Sequence, residues 1–241
     1  PAADTITAET GGSERLRISA SGHTKIENDQ NALAGLNTST NYHLHISNTQ
    51  NNNGEAVGIC FGLSSGGGIG ASIYHSRAGS ESRGDLMFAT KPNGGSVTER
   101  MRINQDGYVT KNNHPYFNAT ANPSITSDYI HSFSNVHSNN GSHYNNSNGR
   151  FTAPVAGFYW FSVGIWCMSD NETIADLIEL VRVTGGTDSA FAGCNHRTQY
   201  NQLIATAGTY MAKDAYVFIR QTNIIIRNST PRNYFSGYLV G

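Results

Sequence analysis

The run from Phe158 to Cys167 constrains the chain more than any other. Read with a period of two, one set of positions holds Phe158, Trp160, Ser162, Gly164 and Trp166. The other holds Tyr159, Phe161, Val163, Ile165 and Cys167. A strand with one wet face alternates apolar with polar residues, whereas a strand apolar on both faces is covered on both sides. In a two-layer sandwich, one of those faces lies in the core and the other is left for a second subunit.

The rest of the composition agrees with strands. Only 14% of the 241 residues are charged, Gly numbers 26, and Asn, Ser and Thr fill much of the remainder. This suits β-strands joined by turns, not helical bundles, which need Ala, Leu, Glu and Lys. With 12 Tyr and 10 Phe there is enough apolar bulk for a packed core. A net charge of −1 without a Lys/Arg run argues against a nucleic-acid partner. No stretch of 18 apolar residues exists to span a membrane. The start at Pro1, followed by polar residues, reads as a piece cut from something longer and without a signal peptide. Cys60, Cys167 and Cys194 are too few and too widely spaced for a disulfide framework or a zinc knuckle; a Cys167–Cys194 pairing stays open.

An internal repeat organises the first half. Glu14-Arg15-Leu16-Arg17-Ile18 precedes Gly22, and Glu99-Arg100-Met101-Arg102-Ile103 precedes Gly107 at the same distance. Each copy alternates Arg with an apolar residue, and Asp106-Gly107 is a hairpin turn signal, so each reads as a β-hairpin. Between the copies, strands are expected at 43–46, 55–63, 69–77 and 84–90, separated by turns such as Asn51-Asn52-Asn53-Gly54. So thin a strand set needs neighbours to complete a core, which three chains wrapped together would supply. Pro115 and the rise in hydrophobicity beyond it mark a boundary, with domains at 1–112 and 113–241. Beyond it, strands are expected at 158–167, 174–183, 199–211, 215–221, 224–227 and 233–240, the pattern of a sandwich or jelly roll.

The spacing of Phe133, Asn139, Tyr144, Phe151, Gly157, Tyr159 and Phe161 resembles the signature of the complement C1q and tumour-necrosis-factor-like head domains. The run Phe151–Gly157 and the ending Phe235-Ser236-Gly237-Tyr238-Leu239 are similar to the same family, although Val163 stands where the signature carries an aromatic. The resemblance covers about residues 115–241. It implies an all-β, ten-stranded jelly roll that assembles as a homotrimer, with Phe151, Phe158, Tyr159, Trp160, Phe161, Trp166, Phe235 and Tyr238 in the core or at the trimer interface. The Glu-Arg-Met-Arg-Ile hairpin, the segment Gly84–Thr90 and the opening Asp4–Thr10 resemble the repeat modules of phage tail fibres. Together these imply a fibre shaft capped by a head, located on the virion and extracellular once released.

Catalytic constellations are weak. Gly62-Leu63-Ser64-Ser65-Gly66 fits a nucleophile elbow, but Gly67, Gly68 and Gly70 follow where a helix is needed, so Ser64 is read as a turn residue and not as a nucleophile. The acidic residues of the head are scattered, with no carboxylate pair for glycan cleavage. Only Asp170 and Glu172 sit close, in a polar loop that has oxygen ligands for Ca²⁺; no other cofactor is implied. His43 and His45 would share a strand face, and in a trimer six such nitrogens suit a metal on the axis, against the plainer reading of a polar face. Asn-x-Ser/Thr triplets, such as those at Asn37 and Asn118, are frequent by chance in so Asn-rich a chain.

The expected function is therefore not enzymatic: a tail-fibre receptor-binding protein that attaches its virus to a host cell-surface glycan or protein. A secreted complement-like recognition or signalling protein is the alternative, and a glycan depolymerase stands third. Counting strands as alternately ascending and descending puts three loops at the far tip of the head. Their residues Asp170, Asn171, Glu172, Lys213, Asp214, Asn228 and Arg232 form the expected receptor site, with His196, Arg197 and Tyr200 on the flank as its competitor.

Overall fold

The computed structural model describes residues 5–27, 39–63, 65–121, 123–126, 129–131, 133–168, 176–196, 201–222, 224–227 and 232–241. The chain divides into two compact units, Pro1–Thr110 and Lys111–Gly241. Among the described residues the secondary structure is strand throughout, apart from one 3-10 turn at Ser39–Asn41.

The first unit holds a three-stranded antiparallel sheet of β1 (Ile6–Thr10), β2 (Ser13–Ile18) and β3 (Thr24–Ile26). It also holds a five-stranded meander of β4 (Ala56–Phe61), β5 (Ala71–Arg77), β6 (Gly84–Thr90), β7 (Thr98–Ile103) and β8 (Val109–Thr110). The segment around His43 and His45 is not a strand, so no sheet sets those two imidazoles on one face.

The sequence repeat is a structural repeat down to its irregularities. Glu14 and Leu16 pair with the neighbouring residues Glu9 and Ala8, so Arg15 is an extra residue in β2. Glu99 and Met101 pair with Ala89 and Phe88 in the same way, which makes Arg100 the extra residue in β7. Such a bulge turns two residues three apart to the same side, which a regular strand cannot do. Hence Glu14 meets Arg17 through two hydrogen bonds of 2.6 and 2.5 Å, and Glu99 meets Arg102 at 3.1 and 2.5 Å. Arg102 also pairs with Asp85, and these bonds raise its proton affinity further. The turns match as well: Gly22 N–H donates to Ser19 O at 2.8 Å and Gly107 N–H donates to Asn104 O at 2.9 Å. Both glycines have positive φ, 80° and 88°, where a Cβ would be strained.

The second unit is a two-sheet sandwich. Its strands are β9 (Tyr116–Thr120), β10 (Ser124–Thr126), β11 (Tyr129–His131), β12 (Asn135–Asn140), β13 (Tyr144–Asn145), β14 (Arg150–Thr152) and β15 (Gly157–Met168), then β16 (Asp176–Thr184), β17 (Thr187–His196), β18 (Asn201–Met211), β19 (Tyr216–Thr222), β20 (Ile225–Ile226) and β21 (Tyr234–Leu239). One sheet runs β12-β9-β21-β15-β18, with β20 also on β15. The other runs β10-β11-β19-β14-β13, with β16 on β19 and β17 on β16.

The core lies between the sheets, and the signature positions build it. Phe133, Phe151, Tyr159, Phe161 and Phe235 are fully buried there, joined by Val163, Ile165, Ile178, Leu180, Leu203 and Ile219. Phe117 stacks on Tyr144 at 4.6 Å and meets Phe235 edge-on at 4.8 Å. Asn139 and Tyr144 close their turn reciprocally: the Asn139 amide donates to Tyr144 O at 2.8 Å, and Tyr144 N–H donates to Asn139 Oδ1 at 3.0 Å. Burial pushes the Tyr144 phenol up to about 12. The Tyr159 hydroxyl donates to Val155 O at 2.9 Å, anchoring the loop before β15. Where Val163 replaces the expected aromatic, it is fully buried in the same layer.

Candidate functional site

The two apolar faces of β15 have different surroundings. Tyr159, Phe161, Val163, Ile165 and Cys167 face the core, while the alternate set faces outward from the six-stranded sheet. Register places Tyr116 beside Tyr238, Tyr238 beside Trp160, and Trp160 beside Gly208, with Phe158 opposite Tyr210. All five rings are exposed in the single chain, Trp160 at 39% and Tyr210 at 61%, against none for Tyr159. Glycines let the rings lie close to the sheet: a Cβ on Gly208 would stand 2.4 Å from Phe158 Cζ and 3.0 Å from Trp160 Cε3, and one on Gly164 would stand 2.3 Å from Tyr234 Cε1. A contiguous patch of this kind marks a surface meant to be covered. The first unit has a smaller counterpart, with Ile59, Ile73 and Leu86 exposed on one face of the meander.

The residues expected at one tip separate to opposite ends. Lys111–Pro115 brings the chain into the second unit at the proximal end, where Leu239 N–H donates to Pro115 O at 2.9 Å. Met211 pairs with Gly157 at this same end, and Asp214 N–H donates to Ala153 O at 2.8 Å. Lys213 and Asp214 are therefore proximal, which corrects their expected place at the tip. Their exposed ion pair at 3.5 Å and the φ of 67° at Asp214 describe a tight turn, for which Asp is suited.

The correction traces to β17. The expected strand order passes from 174–183 to 199–211 in one crossing, whereas β17 adds another, so β18 descends instead of ascending. Arg232 keeps its expected distal place because β20 and β21 both pair with β15 in the same direction, the first at Cys167 and Met168, the second from Gly164 to Tyr159. The Arg232 guanidinium lies 4.2 Å over the Trp166 ring, and Gln202 Nε2 donates to Arg232 O at 2.9 Å. Asp170, Asn171, Glu172, Asn228, Arg197, Tyr200 and Ser64 lie outside the described residues, as does the Ca²⁺ loop built on Asp170 and Glu172; β17 ends at His196.

Among the described residues no group of three His, Cys, Asp or Glu is placed to hold a metal. No disulfide joins Cys60, Cys167 and Cys194, so Cys167 and Cys194 do not pair. On the other sheet, side chains of β14, β17 and β19 form a cleft of about 300 Å³ lined by Arg150, Asp188, Tyr216, Phe218, Arg220 and Gln221, none of them among the residues expected to bind. Nothing local marks these residues, which come together only through strand pairing.

The C1q domain family model matches residues 116–240. The head resembles solved structures at low identity. Murine APRIL at pH 8.0 aligns at 11% identity and a TM-score of 0.44, covering 53% of this chain and 99% of that one. The globular domain of zebrafish complement 1qA protein aligns at 16% and 0.39, covering 53% and 98%. Eiger TNF from S. frugiperda aligns at 10% and 0.43, covering 53% and 94%. No curated protein sequence matches the chain.

Proposed function

The chain belongs to the C1q domain family, and from that premise we propose that it is a homotrimeric, non-catalytic recognition protein that attaches a phage-type tail fibre to a host cell surface. The observation that carries the trimer is the aromatic row Tyr116, Tyr238, Trp160 with Phe158 and Tyr210, exposed on one sheet of the matched unit. A second copy is the occupant that fits it, because the row lies on the family-matched domain and the meander of the first unit offers an apolar face of its own. Burial of both faces by three chains would reach the thousands of Å² of a permanent assembly.

The fibre reading is supported by the duplicated bulged hairpin. Two copies of a Glu–Arg clamp on a strand with few buried residues describe a modular shaft and not a self-sufficient domain. The receptor contact is assigned to the distal end, with Arg232 and the sequence-expected residues Asp170, Asn171, Glu172 and Asn228, and without Lys213 and Asp214. Threefold display would turn a weak single contact into firm attachment.

The test is attachment of the purified chain to a panel of bacterial cells, alongside sedimentation. A trimer that binds at least one strain, and that loses binding when Arg232, Asp170 and Glu172 are replaced by Ala but keeps it when Lys213 and Asp214 are, is the expected result. A stable folded monomer at micromolar concentration, or loss of attachment only with the proximal pair, would overturn the assignment.

A further inference from the structure

The cleft on the outward face of the seven-stranded sheet has a chemistry of its own. Its apolar lining is Tyr216 and Phe218, which pack with the buried Val181 and Val183 beneath them. Above it, the Arg150 guanidinium lies 4.4 Å over the Tyr216 ring. Stacking of this kind fixes the guanidinium plane and leaves its N–H donors for a partner in that plane. Arg150 Nε is buried and finds no hydrogen-bond partner among the described residues. That atom is enclosed, so the Nη groups are the donors left to a ligand.

The second arginine differs. Arg220 Nε donates to Glu179 Oε2 at 2.8 Å, and Arg220 Nη1 stands 3.9 Å from Asp188 Oδ2. That cation is committed, and it holds the Asp188 carboxylate at the rim, where its side chain is 52% exposed. The cleft therefore joins an unspent planar donor set, an exposed acceptor and an aromatic wall.

We infer that this cleft binds an acidic sugar unit of a surface glycan, with the sugar carboxylate on Arg150 and a ring hydroxyl donating to Asp188. A carboxylate takes the guanidinium fork in bidentate fashion, and hydroxyls are the donors a carboxylate rim accepts. An acidic peptide fits less well, since its further carboxylates would meet Asp188 with like charge. The cleft lies on the sheet opposite the aromatic row, so trimer assembly through that row leaves three copies of it open. The inference goes beyond the distal receptor contact proposed above and does not require it.

The experiment is ligand-observed NMR titration of the full chain with D-glucuronate, D-glucose and a short poly-glutamate peptide. Glucuronate should bind, and glucose about tenfold more weakly, the factor expected for one charge-assisted contact. Arg150→Gln should lower glucuronate affinity by about tenfold, and Arg150→Lys should fail to restore it, because a lysine has no planar fork. Asp188→Asn should weaken glucuronate and glucose alike while its melting temperature stays at the wild-type value. Equal binding of glucuronate by wild type and Arg150→Gln, or preference for the peptide, would overturn the assignment. Sedimentation of the same samples reports the trimer separately, so failure here is distinguishable from failure of the assembly reading.

Discussion

Asn233 substitutes for a missing strand partner of Trp166. β21 pairs with β15 as far as Gly164 and β20 pairs with it from Cys167, so the ladder is interrupted between them. The fully buried Asn233 side chain fills that break: its Oδ1 accepts the Trp166 N–H at 2.6 Å and its Nδ2 donates to Arg227 O at 2.9 Å. Asn233→Ala leaves a buried amide N–H and a carbonyl short of partners. The expected loss is about 2 kcal/mol in denaturant unfolding of the chain. An unchanged midpoint would show that water replaces the side chain.

Gly237 lies between Phe161 and Phe117, its register partners on β15 and β9 of the same sheet. A Cβ there would stand 2.4 Å from Phe161 Cδ1 and 2.9 Å from Phe117 Cε1, both rings being held by neighbours. Gly237→Ala should destabilise by about 1–3 kcal/mol through overpacking. Thermal melting of the variant checks this, and a gain in stability would contradict the packing described.

Trp160→Asp tests the outward face without touching the core. In a lone chain the aspartate would sit on an exposed face and the fold should persist. Inside a trimer it would be a buried, unpaired carboxylate costing several kcal/mol. Sedimentation should therefore show loss of the trimer. A native-like trimer would mean that this row is not the assembly surface.

His143 gives the head a pH dependence. Burial lowers its proton affinity below the ordinary value of 6.5, so the unfolded chain takes up the proton first as the solution is acidified. Its contribution to stability is complete above pH 6.5, begins to fall there, and is lost as pH drops through the lower folded value. Melting temperature should fall between pH 7.5 and 5, and fall less in His143→Gln. Equal slopes in the two proteins would assign the dependence to other groups.

Sequence alone determined what depends on near neighbours. The two apolar faces of 158–167, the duplicated Glu-Arg-x-Arg-Ile strands and the aromatic spacing from Phe133 to Phe161 all carry their meaning within a few residues. The alternation that marks a buried strand is set by chain geometry. A long strand that escaped, Thr187–His196, pairs among the described residues only with β16, at the edge of the sheet, and Thr187–Ala190 are exposed. An edge strand that buries little has no reason to alternate, so nothing in its residues announces it. Tertiary structure alone decided what depends on counting and pairing. The end of the sandwich at which a loop emerges is a parity of crossings. The unseen β17 reversed it for Lys213 and Asp214, and the interrupted β20–β21 course on β15 restored it for Arg232. The bulges at Arg15 and Arg100, the bridge from Asn233 to Trp166 and the cleft around Arg150 arise the same way, because register brings together residues that lie far apart in the chain.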